Sequence, residues 1–500
     1  MNLISIMSVE TKTLRKEAFE KRQLRRLLKE KAKPKSHFYL WYMLFILALI
    51  YIVDEICTNL PNSLQTELNV ALSGYSWANS NGYSLEVLNN AAYGGVGPEA
   101  LLKMLGDGLS KLSLITLLSN MMLILSLLYR PLADRHGRKI FLFINTLGIS
   151  ASCLLFFTAN NIFVYAIAMF ALRFFVTPDQ QVVYIFEIAP EKHRNAIYSV
   201  TKGVAELGLV FVALLRRLFL DTNDYQSYKW IFLTMAVTTF IVSLIALLFA
   251  RESDVFLNSR IAYLRKSKEE RIALEKEIST KQGGFLAAVR YTLKTPQIRY
   301  ICIATGIAQL CYACCNGYGV ILNNGFLGMG GLNQAEATDV GFYFPFTCAI
   351  ITMLYGFVSD KWGRKITSIV LLSSCTVFYL LLCLGLQLSW PTWLIGLVLG
   401  CLLGADWSNG DVLSLLAGES APTNLRASIM ASWSLFYGVG MILSQALAAI
   451  APHVVGLKYL SLFYFFICIP AWALSLFVLM MKVKETKGIN LAKANEESNH

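Results

Sequence analysis

Long apolar runs separated by short polar segments dominate the pattern of the chain. Twelve of these runs contain about 20 mostly apolar residues each, the length that a helix needs to cross a bilayer. The pattern therefore predicts an all-α membrane protein with twelve transmembrane helices. The predicted spans lie near residues 38–60, 112–129, 140–159, 162–186, 195–215, 230–250, 300–322, 340–358, 366–388, 392–418, 427–450 and 457–481.

The composition agrees with a membrane protein and excludes a large soluble enzyme. Of the 500 residues, 56% are hydrophobic and 15% are charged, and the mean hydropathy is +0.53. Ordinary soluble domains carry roughly 25% charged residues. Domain cores in a soluble chain of this length cannot hide such an apolar excess.

The basic excess of the chain is explained by its topology. The formal net charge is +12 at pH 7, which can indicate nucleic-acid binding when basic residues form a patch. However, 36 of the 44 Lys and Arg residues lie in segments that twelve spans place on one side of the membrane. Because loops rich in Lys and Arg stay cytoplasmic, we expect a multi-pass plasma-membrane protein with both termini cytoplasmic and no nucleic-acid partner.

The spans and loops divide the chain into two bundles and three polar segments. Over residues 9–33 of the basic N-terminal segment, the bases surround Leu14, Leu24, Leu27 and Leu28. This pattern fits either an amphipathic helix on anionic lipid or a solvated tail. The predicted parts are a cytoplasmic segment (1–37), a six-helix bundle (38–250) with an extracellular loop (61–111), a cytoplasmic connector (251–299), a second six-helix bundle (300–482) and a cytoplasmic tail (483–500).

A polar motif follows the second span and returns after the eighth. Its copies read RPLADRHGRK over residues 130–139 and GFVSDKWGRK over residues 356–365. In each copy the Gly permits a tight turn, and the Asp can hold the following Arg or a helix N-terminus. The acidic and basic residues that recur are Asp134 with Arg138, and Asp360 with Arg364.

A second repeated motif follows the fourth and tenth spans. Glu187 and Arg194 recur 232 residues later as Glu419 and Arg426, with a Pro three residues after each Glu. The Pro ends the helix, so that the Glu and the Arg can form charge-assisted hydrogen bonds at the membrane rim. Two halves of six spans that share both motifs are typical of a duplicated transporter.

At these motifs the sequence resembles the major facilitator superfamily, in the branch of sugar porters, organic-ion transporters and proton-coupled metabolite symporters. The resemblance covers residues 38–482 and implies two pseudo-symmetric six-helix bundles that rock around a central site. It also implies that the repeated charges close the cytoplasmic side. Under that implication Glu187 pairs with Arg426 and Glu419 with Arg194, while Asp134, Arg138, Asp360 and Arg364 support these pairs.

Charged residues within the spans are costly to bury and therefore indicate functional positions. Lys202 and Glu206 are four residues apart on one helix, and we predict that they pair. By the resemblance, Asp54 matches the first-span Asp of proton-coupled members, which works beside a fourth-span Arg, here Arg173. Two interpretations remain open, namely that Asp54 and Arg173 form a proton-coupling site or that they form a static ion pair.

Polar and aromatic residues in several spans are predicted to line a central cavity. In the seventh span, residues 316–319 and 323–324 interrupt the apolar run, as expected where the backbone lines a cavity. Asp179 and Asp411 lie 232 residues apart, and either line the cavity or bond neighbouring helices. The predicted cavity residues are Glu55, Asp179, Gln180, Gln309, Tyr312, Asn316, Tyr318, Trp407 and Asp411.

These observations predict a secondary active transporter of a small organic solute, with the proton as coupling ion. The alternatives are a passive uniporter and a nutrient sensor that does not transport. The sequence contains no P-loop and no His or Cys ligand cluster, so we expect no cofactor, no metal and no enzymatic activity. The paired-Gln signature of sugar porters is absent from the seventh span, and the acidic span residues favour a cationic solute over a dianion. We expect a monomer in the lipid bilayer.

Overall fold

The computed structural model describes most of the chain as helix. The described residues are 20–32, 38–94, 97–122, 125, 129, 132, 137–177, 180–190, 194–267, 269–271, 273, 285–327, 329–421 and 426–486. Two groups of spanning helices, which we number α1 to α12, follow each other along the chain.

The first bundle contains six spanning helices. The fifth is built from two pieces, and the fourth is described on either side of residues 178–179. The side chain of Asn161 caps the fourth by accepting from the backbone N–H groups of Phe163 and Val164. The helices are α1 (Tyr39–Ser63), α2 (Glu99–Ser119), α3 (Arg138–Thr158), α4 (Ile162–Val176 and Gln180–Ile188), α5 (Arg194–Leu207 and Val210–Phe219) and α6 (Tyr228–Phe249).

The second bundle repeats this arrangement. Its first helix is interrupted at Gln309 and at Gly317, close to the interruption that the sequence predicts. A capping box of Asn333 and Glu336 begins its second helix. The helices are α7 (Pro296–Ala308, Gln309–Cys311, Tyr312–Asn316 and Tyr318–Asn324), α8 (Gln334–Trp362), α9 (Arg364–Gln387), α10 (Thr392–Glu419), α11 (Arg426–Val455) and α12 (Leu460–Lys482).

Ten helices in the described part of the chain are long and apolar enough to cross a membrane. The other two are α10, which carries Asp406 and Asp411, and α2, which carries Lys103, Asp107 and Lys111. The predicted all-α membrane fold is confirmed. We call the end of the bundles at residues 251–299 the connector end, and the opposite end, at residues 61–111, the loop end.

The predicted loop over residues 61–111 is itself helical. It contains Gln65–Asn69, Val70–Gly74, Tyr75–Ser80 and Leu85–Gly94, and α2 already begins at Glu99. The amide of Asn69 donates to the carbonyl of Leu105 on α2 over 2.8 Å. The segment is therefore a folded cap on the loop end.

The N-terminal segment contains a helix over residues 20–31 that packs on the connector helix Asp254–Arg265. Leu27 is 6% exposed and belongs to one apolar cluster with Phe256 and Ile261. The Nη1 of Arg271 also lies 2.7 Å from Glu20. The connector helix therefore covers Leu27, whereas Leu28 is 38% exposed. Contact of this helix with lipid stays a prediction.

The two bundles meet along α5 and α8. A Cβ atom at Gly203 would lie 2.5 Å from the side chain of Met353, and one at Gly356 would lie 2.3 Å from Ser199 Oγ. Glycine at both positions lets the two helices approach closely. The central site lies beside this contact.

Candidate functional site

A cavity of about 540 Å³ lies between the two bundles. Helices α1, α2, α4 and α5 line it from one side, and α7, α8, α10 and α11 line it from the other. It extends to Asn195 and Ser359 near the connector end. Toward the loop end, the hydroxyl groups of Ser63 and Tyr318 lie 3.0 Å apart, and Asn323 donates to Thr66 over 2.7 Å. These contacts between bundles close the loop end.

Several residues predicted for the site share this cavity. It is lined by Glu55, Arg173, Gln309, Tyr312, Asn316, Trp407 and Asp411. Asp179 lies outside the described residues. These residues thus come together from four spans of both bundles.

Three predicted residues have other environments. Asp54 is 5% exposed and accepts a hydrogen bond from Gln181 of α4 over 2.8 Å. Among the described side chains, no ion pair joins Asp54 to Arg173.

Gln180 is 2% exposed and is not part of the cavity lining. Tyr318 packs against Phe344 and bonds Ser63 at the closed loop end. In this structure Gln180 and Tyr318 thus lie outside the cavity lining, and Glu55 rather than Asp54 is part of it.

Lys202 of α5 forms an ion pair across the two bundles. Its Nζ lies 2.6 Å from Oδ2 of Asp411 on α10, and the hydroxyl of Tyr355 donates to the same oxygen over 3.0 Å. The predicted pairing of Lys202 with Glu206 is wrong, because the carboxylate of another helix lies within reach of its amine. Glu206 is buried and accepts instead from the thiol of Cys348 over 3.4 Å.

Three cavity-lining side chains of the first bundle carry a buried polar atom for which the described residues offer no hydrogen-bond partner. Within the described part of the chain, Oγ1 of Thr58, Nδ2 of Asn120 and Nε of Arg173 are buried without a hydrogen-bond partner. All three residues line the cavity. Buried polar groups are normally paired, so these three side chains are candidates for contact with a solute.

The second bundle presents aromatic rings and a buried carboxylate. Trp407, Trp433 and Tyr437 line the cavity from α10 and α11. Asp406 is 7% exposed and accepts from the indole of Trp472 over 3.2 Å. Flat rings beside hydrogen-bonding groups can both stack on a small organic solute and fix its orientation.

At the connector end of the first bundle, a charge network joins α3, α4 and the connector. Gly137 adopts φ +115°, and the helix α3 begins directly after it. The carboxylate of Glu252 accepts from the backbone N–H of Arg138 over 2.7 Å, while the guanidinium of Arg138 lies 2.9 Å from Glu187. Ser253 also donates to Glu187. Burial raises the pKa of Glu252 to about 7, although these backbone hydrogen bonds lower it in part.

The second bundle repeats this network at its own connector end. Gly363 adopts φ +104° before α9. Glu485 accepts from the backbone N–H of Arg364 over 2.8 Å, and the Nε of Arg364 lies 3.0 Å from Glu419. Thr486 donates to Glu419 over 2.6 Å. These bonds each join residues of one bundle, while Asn195 of the first bundle also donates to Asp360 of the second over 3.5 Å.

The predicted gating residues whose side chains the structure describes lie in these networks. Arg138 and Arg364 bond Glu187 and Glu419 directly, and Asp360 lies 2.9 Å from Arg364. The predicted pairs between bundles depend on Arg194 and Arg426, whose side chains lie outside the described residues, as does Asp134.

Sequence reasoning missed the carboxylates that hold the N-termini of α3 and α9. A signal for them is present, because Arg251-Glu252-Ser253 after the sixth span recurs as Lys484-Glu485-Thr486 after the twelfth. Both copies combine a base, a glutamate and a hydroxyl residue. In the structure, each copy of this third repeat contacts the copy of the loop motif in its own bundle.

Comparison with known proteins agrees with the duplicated architecture. A family model for the Major Facilitator Superfamily matches residues 44–445. The chain belongs to this superfamily. Among curated proteins, the glucose transporter GlcP of Staphylococcus epidermidis is 21% identical over 385 residues, which cover 73% of this chain and 84% of GlcP. The resemblance inferred from the repeated motifs is confirmed.

Solved structures of the superfamily share the fold. A crystal structure of a D-xylose-proton symporter matches with a TM-score of 0.63 at 15% identity, over 90% of this chain and 99% of the symporter. A bacterial homolog of the human lysosomal transporter Spinster, in an inward-facing and unoccupied conformation, matches with a TM-score of 0.55 at 14% identity, over 92% and 98% of the two chains. The predicted arrangement of two six-helix bundles is that of a major facilitator transporter.

Proposed function

We propose that this chain is a secondary transporter that moves a small polar organic solute by alternating access and couples it to protons. The observation that carries the proposal is the polar cavity between the bundles, lined by both of them and closed at the loop end. A solute that contacts both bundles can favour one relative orientation over another, which alternating access requires.

The proposed coupling residues are Asp411 and Lys202. Their ion pair joins the two bundles, so protonation of Asp411 removes an attraction that opposes bundle separation. Asp54 is a second candidate, because it is a buried carboxylate at the level of the cavity. Its bond to Gln181 lies within one bundle, and this bond does not change when the bundles move apart. Arg173, predicted as the partner of Asp54, lines the cavity and is proposed to bind solute.

A sugar-like polyol is the first solute class to test. The amides of Asn59, Asn120, Gln309 and Asn316 surround the cavity beside Trp407 and Trp433. Amides hydrogen-bond hydroxyl groups, and aromatic rings stack on the apolar faces of small solutes. The similarity to GlcP, a glucose transporter, supports this choice.

An organic cation is the second solute class. Glu55 and Asp406 line the same cavity as the rings of Trp407 and Tyr437. A cation held over an aromatic ring near a carboxylate gains both cation–π and Coulombic attraction. Competition between a hexose and a quaternary amine separates the two classes.

The decisive experiment uses the purified chain in liposomes with an imposed pH gradient. Accumulation of labelled solute against its gradient supports proton symport. Equilibration without accumulation indicates a uniporter, and binding without flux indicates a sensor. Asp411→Asn is expected to abolish accumulation while solute exchange continues, and Asp54→Asn serves as the comparison within one bundle.

We also propose a plasma-membrane location, cytoplasmic termini and a monomeric working unit. The orientation rests on the 36 of 44 basic residues assigned to one side. Under this orientation the connector end faces the cytoplasm, and the cavity opens inward.

A further inference from the structure

The helix over residues 20–31 is fixed to the connector helix Asp254–Arg265 by one of its faces. Leu27 on this face is buried in the apolar cluster between the two helices. One turn further on, the Nζ of Lys31 donates to Oδ1 of Asn258 over 2.6 Å. These contacts determine which side of the helix points away from the connector.

The side of the helix that points away from the connector carries a row of basic residues, which we call the basic stripe. Its members recur at spacings of three and four residues, so they share one side of the helix over about 10 Å of its axis. All of them are exposed, and the helix as a whole contains six basic and two acidic residues. One of the two acids, Glu20, is paired with Arg271 of the connector. The basic stripe consists of Arg22, Arg25, Arg26 and Lys29.

The helix lies close to the place where the chain enters the bilayer. Residues 32–37 separate it from Phe38, and a segment of this length reaches no further than about 25 Å. Phe38 and Trp41, at the start of α1, are 72% and 70% exposed, as is typical of aromatic residues at a membrane interface. On the other side of the contact, four residues separate the connector helix from the end of α6. Both helices are therefore held beside the same leaflet.

We propose that the basic stripe binds the headgroups of anionic phospholipids in this leaflet. Basic clusters next to a membrane span attract such lipids by Coulombic forces. Because the leucine face is covered by the connector helix, the binding does not need insertion of Leu27 into the bilayer. The bound headgroups hold the connector at the membrane surface, which is a role beyond the proposed transport function and independent of it.

The test measures which lipids gather around the helix in phosphatidylcholine liposomes that contain the full-length chain. A fluorescent donor is attached at Ala32→Cys, an exposed position three residues after Lys29. Cys401 is replaced by Ser, because the other ten cysteines are buried. The acceptor is a trace of phosphatidylglycerol labelled on its acyl chain, and phosphatidylcholine with the same label is the reference. The two acceptors differ only in their headgroups.

In the parent, we expect energy transfer to phosphatidylglycerol to exceed transfer to the reference by about threefold. In 1 M salt, where the Debye length is about 3 Å, this preference should disappear. A variant that removes three charges of the basic stripe should lose most of the preference at low salt. Its substitutions are Arg22→Gln, Arg25→Gln and Lys29→Gln.

Two controls separate the position of the charges from their number and from the side chains themselves. Arg22→Lys combined with Arg25→Lys keeps the charges, so the preference should remain. A second control removes three exposed basic residues at the loop end and should also match the parent. Its substitutions are Lys103→Gln, Arg217→Gln and Lys458→Gln.

An equal preference for phosphatidylglycerol in the parent and in the variant without the three charges would overturn the proposal. The same conclusion would follow if the loop-end control lost the preference to the same extent. Inositol hexakisphosphate serves as a soluble polyanion. If it bound through the basic stripe while the parent showed no preference for phosphatidylglycerol, the occupant would be a soluble polyanion, which would also refute lipid binding. The measurement uses no transported solute, so its outcome is separate from the test of transport.

Discussion

The amine of Lys202 and the carboxylate of Asp411 lie 2.6 Å apart although they are 209 residues apart in sequence and belong to different bundles. The Lys202 side chain is 10% exposed and that of Asp411 25%. The pair is therefore partly desolvated at the edge of the cavity. Movement of the bundles separates its two charges, and a proton or a solute can replace one partner.

Removing one partner of this pair should destabilise the chain more than removing both. Lys202→Met or Asp411→Asn leaves a partly buried charge or dipole without its partner, and we expect a loss of about 3 kcal/mol or less for each. The double variant should lose less than the sum. Thermal unfolding in detergent measures the effect, with the exposed Lys103→Met as control. Strict additivity of the two losses would contradict the pairing.

Loss of the rim glutamates should open the connector end further. Glu187→Gln combined with Glu419→Gln removes the anionic partners of Arg138 and Arg364. We expect labelling of Ser414→Cys, a cavity position, to accelerate by about fivefold as the population shifts. Glu86→Gln, at an exposed position of the cap, is the control. An unaltered labelling rate in the double variant would count against a gating role.

Alanine should be poorly tolerated at the two turns that begin α3 and α9. A Cβ atom at Gly137 would lie 2.4 Å from Oε2 of Glu252, and one at Gly363 would lie 2.4 Å from Oε2 of Glu485. Both glycines also have positive φ, so each alanine variant should lose about 1–3 kcal/mol. Gly410→Ala, within α10 and with no neighbour closer than 3.8 Å, should lose less. Unfolding midpoints compare the three variants.

The stability of the first connector-end network should depend on pH through Glu252. Burial raises the pKa of this carboxyl from its ordinary value of 4.5 to about 7. The folded chain therefore holds the proton that the unfolded chain releases, and this contribution to stability is lost as pH rises from 4.5 to 7. Relative to the parent, Glu252→Gln should become more stable across that window. Unfolding midpoints measured on either side of it test the sign, and a constant difference would refute it.

The fold was predictable from the sequence because spanning length and motif repetition are local signals. Apolar runs define the spans, and the recurring Gly-Arg and Glu-Pro motifs define the halves. The short cap helices and the start of α2 at Glu99 were not predicted. They form amphipathic structure in a segment that carries many Gly, Asn and Ser residues.

The partners within the site were less predictable than the residues themselves. The structure brings several of the predicted span charges to one cavity. Sequence spacing, however, pairs Lys202 with Glu206, whereas the structure pairs it with Asp411. Likewise, whether Asp54 or Glu55 faces the cavity depends on the rotation of α1 about its axis. The sequence does not determine this rotation, because the two carboxylates are adjacent. Tertiary packing determines such pairings and helix rotations. The periodicity along a single helix does not encode this packing.

The helix over residues 20–31 precedes the first bundle, and the connector helix Asp254–Arg265 follows it. The contact between these two helices, which we call the clasp, joins the two segments that flank the bundle. Both ends of that bundle are thereby fastened to each other outside the membrane. For anyone dividing the gene into two co-expressed halves, this determines where to cut. A first fragment that ends after Arg271 retains the clasp. A fragment that ends at Ala250 lacks the connector helix and exposes Leu27 of the helix over residues 20–31.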